Sequence, residues 1–235
     1  LIDHALRSDA KLVLLGDPAQ LGEIEAGGLF PAIARRSEEI RLDEVLRHRH
    51  DLDREGAKLI REGEGSAALD RYAREGRVVV AADHELRREA IVSDWREARR
   101  RGEDALMIAK LNSERERRNE RAREAMRAEG RLAEGEIEVG GRPFAAGDEV
   151  ITRVNDQRTQ IFNRERWRVE AVDRQAQAMV LVGIDTDGRR LHVDADYLGR
   201  VNPSDGAPAV EHGYAVTIYQ AQGSTLDSAY VMADP

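Results

Sequence analysis

The chain has 235 residues, 37 basic and 45 acidic side chains, a formal net charge of −8 and no cysteine, a length that gives one or two domains burying roughly 70% of the unfolded surface. Charged residues at 35% against 41% hydrophobic argue against disorder, and the longest apolar stretches, residues 78–82 and 178–184, fall far short of the ~20 residues of a bilayer span. Lack of cysteine excludes disulfides and thiolate zinc sites. Only His48 and His50 lie close together, so no metal-ligand set is expected, and the acidic balance argues against a charge-driven nucleic-acid coat while leaving room for a local DNA groove.

In chain order, residues 1–8 read as the end of a helix and 11–15 as a short buried strand running into the turn formers Gly16, Asp17 and Pro18. An apolar helix follows over 29–36, and 40–42 could add a strand. Helices are predicted over 52–62 and 66–75, closed by Gly63 and Gly76. The pattern then turns to strand, helix, strand, helix: 78–81, a helix capped by Asp83 and running to Arg101, 105–109, and a long charged helix to Gly130 with capping-box spacing at Ser113 and Glu116. This βαβα order predicts a parallel sheet. Arginine and glutamate alternate along the last helix at three- and four-residue spacing, which reads as a salt-bridged solvent face.

From Ile137 short strands follow at 148–154, 166–173, 178–184 and 189–193, with Asp187-Gly188 as a hairpin turn, describing an all-β unit of ~60 residues set into an α/β chain. Trp167, Val169 and Ala171 alternate with Arg168, Glu170 and Val172, as on a half-buried strand. Residues 203–208 form a loop leading to strands at 214–218 and 229–232. The flanks 41–131 and 208–234 are expected to pair in one sheet.

Two segments carry the chemistry: LVLLGDPAQL at 12–21, extended by GEIEAGGLF to Phe30, and HGYAVTIYQAQGSTLD at 212–227. Together with GRPFAAGDEVITRVND at 141–156, they resemble motif III, motif V and the start of the SH3-like insertion of superfamily 1 helicases of the RecD-like group, particularly the helicase portion of MobF-type conjugative relaxases. The similarity covers nearly the whole chain. It implies an α/β fold of RecA-like P-loop NTPase domains with an inserted SH3-like β domain: residues 1–36 ending the first RecA-like domain, 37–136 and 202–235 forming the second, and 137–201 the insertion.

The resemblance gives Gln20, beside Asp17, the role of sensing the γ-phosphate of ATP, to which an amide that both donates and accepts is suited. EVLRHR at 44–49 looks like motif IV, where an arginine approaches the nucleotide phosphates. Arg47 followed by His48 matches the usual Arg-Gln pair, and Arg49 is the alternative. Motif V offers Thr217, Gln220, Gln222, Gly223, Ser224 and Thr225, hydroxyls and amides around a glycine that can grip sugar-phosphate without reading bases, and Tyr219, which can stack on an unpaired base. Arg153, Arg158, Arg164 and Arg166 could form a basic edge along single-stranded DNA, and Asn163-Arg164 stands where relatives commonly have Asn-Gly.

No GxxxxGK[ST] loop is present. The sequence opens on Leu1 and reads as an internal piece of a longer polypeptide. The magnesium-holding carboxylates are expected before Leu1 and an arginine-bearing motif VI after Pro235. The expectation is a cytoplasmic fragment of a helicase that uses ATP and Mg2+ and translocates on single-stranded DNA, with conjugation or repair proteins as possible partners. A repair helicase without a relaxase, or a catalytically silent DNA-binding module, are the alternatives.

Overall fold

The computed structural model describes residues 2–17, 29–37, 40, 50–186 and 188–232, and the chain divides into two compact units, Leu1–Val78 and Val79–Pro235. In the first unit the described helices are α1 (Ile2–Arg7), α2 (Leu29–Ala34), α3 (Asp51–Arg61) and α4 (Gly65–Arg74). Helices α3 and α4 meet where Gly56 lies under Tyr72. A Cβ there would sit 2.4 Å from the tyrosine oxygen, so the close approach depends on glycine. Gly63 and Gly76, both at positive φ, end the two helices as expected.

The strand expected at 11–15 is not formed. A strand exists through its ladder partner, and no described residue pairs with this segment, which leaves Leu15 93% exposed. Residues 78–81 are likewise unpaired, with Val80 89% exposed. Of the third short strand, Ile40 is exposed and outside any element, while Arg41 and Leu42 lie outside the described residues.

The second unit opens with α5 (His84–Arg100), β1 (Ala105–Ala109) and α6 (Asn112–Ala128). Asp83 caps α5, its carboxylate accepting from the Leu86 N–H at 2.9 Å. The β unit follows: β2 (Glu136–Val139), β3 (Arg142–Ala145), β4 (Glu149–Thr152), β5 (Arg166–Asp173), β6 (Ala178–Gly183), β7 (Arg190–Val193), α7 (Ala195–Leu198) and β8 (Val210–His212). The chain then returns through β9 (Ala215–Thr217), α8 (Ile218–Ala221) and β10 (Ser228–Val231).

Two sheets dominate. Strands β10, β1 and β9 form a parallel sheet in that order, so the flanks of the β unit do pair across it. One face of β1, through Ala105 and Met107, packs on α5 and α6, where Trp95 donates its indole N–H to the Ala105 carbonyl at 3.0 Å. The other face sets Leu106 and Val216 against Ile151 of β4. The antiparallel sheet runs β7-β6-β5-β4-β8 around a core that includes Phe144, Trp167, Leu181 and Val210. Residues 210–212, read from sequence as part of the return to the α/β layer, therefore complete the β sheet by pairing with β4.

Three local expectations are corrected. The alternation on β5 breaks at a bulge between Val169 and Ala171, which turns Ala171 to solvent and packs Val172 on the core. Helix α6 starts one residue before Ser113, has Leu111 as its cap residue and no side-chain cap bond, so the Ser113 and Glu116 box is not made. The same helix is a solvent face on one side only, with Arg117, Glu120, Glu124 and Arg127 exposed: Glu114, Arg115, Arg118, Asn119 and Arg123 are buried on it beside Ala122 and Met126. Asp187 of the expected hairpin turn lies outside the described residues.

Candidate nucleic-acid interface

The site is the carboxyl end of the parallel sheet, where the register sets Ala109 of β1 beside Thr217 of β9. Open α/β sheets place their ligands at this end because loops and helix starts converge there. Thr217 caps α8: its hydroxyl oxygen accepts from the Gln220 N–H at 3.3 Å, and the Gln220 side-chain oxygen accepts from the Thr217 N–H at 2.8 Å. Both oxygens thus hold the turn, and Gln220 is buried.

Beyond this box the segment opens to solvent. Ile218, Gln222, Gly223 and Thr225 are exposed, Tyr219 is 39% exposed, and Ser224 is half-buried with its N–H bonded to the Ala221 carbonyl. Gly223 has φ +92 with open space where a Cβ would stand. The far end is tied down, since Leu226 packs on the second face of the sheet and the Asp227 carboxylate accepts from the Asp104 N–H at 3.0 Å. At the same sheet end Lys110 and Leu111 are exposed after β1.

Behind this surface lies a buried polar framework that the sequence patterns did not single out. Asp148 accepts from the Arg123 guanidinium, from the Ala145 N–H at 2.7 Å and from the Tyr214 hydroxyl at 2.6 Å. Arg115 pairs with both oxygens of Glu211, at 2.6 and 2.9 Å, and Arg153 also bonds that carboxylate. Burial of Glu211 opposes its charge, but the hydrogen bond and charge of Arg115, with the charge of Arg153, outweigh it and hold the carboxyl below its usual range. Asn119 bonds both backbone groups of Ala215, accepting at 2.8 Å and donating at 3.0 Å. The available signal was the spacing of 115, 119, 122, 123 and 126, one helical stripe on which Ala122 and Met126 carry polar neighbours inward.

The basic edge is not assembled as expected. Arg166 is buried and paired with Asp104 and Asp185, and Arg153 is spent on Glu211 and Asp205. Arg158 and Arg164 remain exposed. Arg164 adopts φ +76, so the turn that suits glycine forms with arginine in its place. In the first unit, half-buried Asp17 pairs with Arg61 at 2.7 Å, while Gln20, Arg47 and Arg49 lie outside the described residues. Among the described residues no cluster of carboxylates and histidines could hold a metal ion, and no helix is long and apolar enough to cross a membrane.

The AAA domain family matches residues 1–83. The chain is 33% identical to the conjugal transfer protein TraA of Agrobacterium fabrum and 30% identical to the probable conjugal transfer protein TraA of Sinorhizobium fredii, in each case over 99% of this chain and 20% of the relative. It thus spans about a fifth of the length of these relatives. In fold it is similar to the Pif1 helicase from Bacteroides, solved with ADP-AlF3 and single-stranded DNA, at a TM-score of 0.51 and 14% identity over 83% of this chain and 46% of that one.

Proposed function

We propose that this chain, a superfamily 1 helicase segment of the TraA conjugal-transfer type with an α/β fold of RecA-like parallel-sheet kind, is the part of an ATP-driven DNA translocase that holds the single-stranded track. The observation that carries the reading is the strand-end surface after β9. A capping box between half-buried Thr217 and buried Gln220 fixes the turn, and Tyr219, Gln222, Gly223 and Thr225 are presented to solvent with Lys110 at the same sheet end. Hydroxyls, amides and one ammonium suit sugar-phosphate contacts that carry no base preference, as a translocating motor requires.

On this reading residues 1–36 close a first RecA-like domain, 37–136 and 202–235 form the second, and 137–201 are an SH3-like insertion of the RecD-like group. Gln20, Asp17 and Arg47 or Arg49 would serve ATP, with Gly223 near the nucleotide and Mg2+ held by residues outside this chain. That part rests on sequence motifs, since Asp17 is engaged by Arg61 and Gln20, Arg47 and Arg49 lie outside the described residues. The intact protein would work in the cytoplasm on single-stranded DNA, joined to a relaxase and its conjugation partners.

The test is fluorescence anisotropy of this chain with labelled oligothymidine and mixed-sequence strands across a salt series. Weak binding without sequence preference is expected, with a shallow salt slope set by a few phosphate contacts against the net charge of −8. Tyr219→Ala should weaken every sequence alike, by ~1 to 3 kcal/mol for a lost stacking contact. Binding confined to one sequence, or none at low salt, overturns the reading.

A further inference from the structure

Strand β9 is an edge of the parallel sheet, and its inner side is used by β1, with the Met107 N–H donating to the Tyr214 carbonyl at 3.2 Å. In a parallel ladder successive residues point their backbone groups to opposite sides, so those of Ala215 face away from β1. Ala215 is fully buried, so water cannot satisfy them. The side chain that does so is Asn119, on the third turn of α6, itself buried. A carboxamide presents a donor and an acceptor at the spacing of a peptide group, and here it acts as a one-residue substitute for the missing neighbour strand.

We infer that Asn119 is a positioning residue for the strand-end surface: by clamping Ala215 it fixes the height of β9 against α6 and hence the placement of Thr217 and the segment 218–225. The register supports this, because Ala215 is two residues from the Thr217 cap, while the far end of the segment is fixed separately through Asp227. Of the buried arginines of α6, Arg118 donates to the Ile108 carbonyl of β1, Arg115 pairs with Glu211 of β8 and Arg123 with Asp148. Asn119 bonds the backbone of β9 directly, through both groups of Ala215. The consequence for DNA rests on the function proposed above, whereas the clamp itself does not.

The experiment uses the full 235-residue chain and the variants Asn119→Asp, Asn119→Ser, Tyr219→Ala and the double variants. Asn119→Asp keeps the acceptor for the Ala215 N–H but sets a carboxylate oxygen against its carbonyl. Asn119→Ser is shorter and uncharged, and gives the same readouts if the acidic variant does not fold. Amide hydrogen exchange read by mass spectrometry should show protection lost by at least tenfold in 215–225, with 105–109 and the β unit unchanged. Unchanged exchange in 215–225, or a uniform loss along the chain, overturns the clamp. For oligothymidine binding, each Asn119 variant should weaken affinity about tenfold, and adding Tyr219→Ala should cost less than it does alone, because the ring is already displaced. Full additivity, the behaviour of a stability loss alone, overturns the positioning role. If the unaltered chain binds no DNA, the function proposed above fails, and the exchange measurement still decides the clamp.

Discussion

Three donors converge on Asp148, which has no exposed surface, and they come from different elements: Arg123 on α6, the backbone of Ala145 on β3 and the hydroxyl of Tyr214 ahead of β9. Beside it His212 stacks on Phe144 at 4.3 Å between ring centroids and donates its Nε2 hydrogen to the Pro143 carbonyl at 3.0 Å. Burial pushes the imidazole down to about 4, with Asp148 opposing and Arg123 assisting. The folded value is depressed below the unfolded one near 6.5, so the unfolded chain binds the extra proton first as pH falls. His212 therefore leaves stability intact above pH ~6.5 and removes up to about 3 kcal/mol by pH ~4. Urea unfolding at a series of pH values should show this slope, and His212→Gln should flatten it. An identical slope in the variant overturns the assignment. Glu211, whose carboxyl is held low, adds its own loss only below the ordinary carboxylate range.

Helix α6 and the turn after it show how an element acquires a face that its composition conceals. Its arginines were set inward because partners from three strands meet them: Glu211 on β8, Glu136 on β2 and the Ile108 carbonyl on β1. A buried arginine is tolerable only with such partners, and no local pattern announces them. The glycines around this element divide by the same logic. Gly130 ends α6 at φ +68 with open space around it, whereas Gly147, at φ +99, would place a Cβ 2.2 Å from the Arg131 carbonyl oxygen. Gly130→Ala should cost about 1 kcal/mol, the ordinary expense of left-handed backbone, and Gly147→Ala about 2 to 4 kcal/mol, since the clash is with backbone. Thermal or urea unfolding of the two variants measures the difference, and equal losses would count against the close approach.

On the scale of the whole molecule, the motor role proposed above meets a sequence with no phosphate cradle of the P-loop kind. The sequence contains no GxxxxGK[ST] loop, and the described residues offer no carboxylate cluster for a metal. Phosphoryl transfer depends on charges placed around the transferred group, so this chain by itself should release no phosphate from ATP above background, with or without single-stranded DNA. A coupled phosphate-release assay checks this. Turnover that stays with the protein through repurification would show that the chain carries a catalytic set of its own.

The sequence by itself determined the periodic elements and the motif ends. Helix α5 with its Asp83 cap, the apolar run of β1, the glycine stops after α3 and α4, and the pairing of the flanks around a β unit were all legible, because each depends on residues near in sequence or on a hydrophobic pattern. Only the tertiary structure decided which apolar runs become strands. Residues 11–15 and 78–81 have the right composition but no paired neighbour among the described residues, while 210–212 joined the sheet that offered them an edge. It alone also turned a charged helix inward and gave Asn119 its strand to hold, because burying a polar group is settled by partners about 100 residues away: 96 positions separate Asn119 from Ala215, and Arg115 from Glu211.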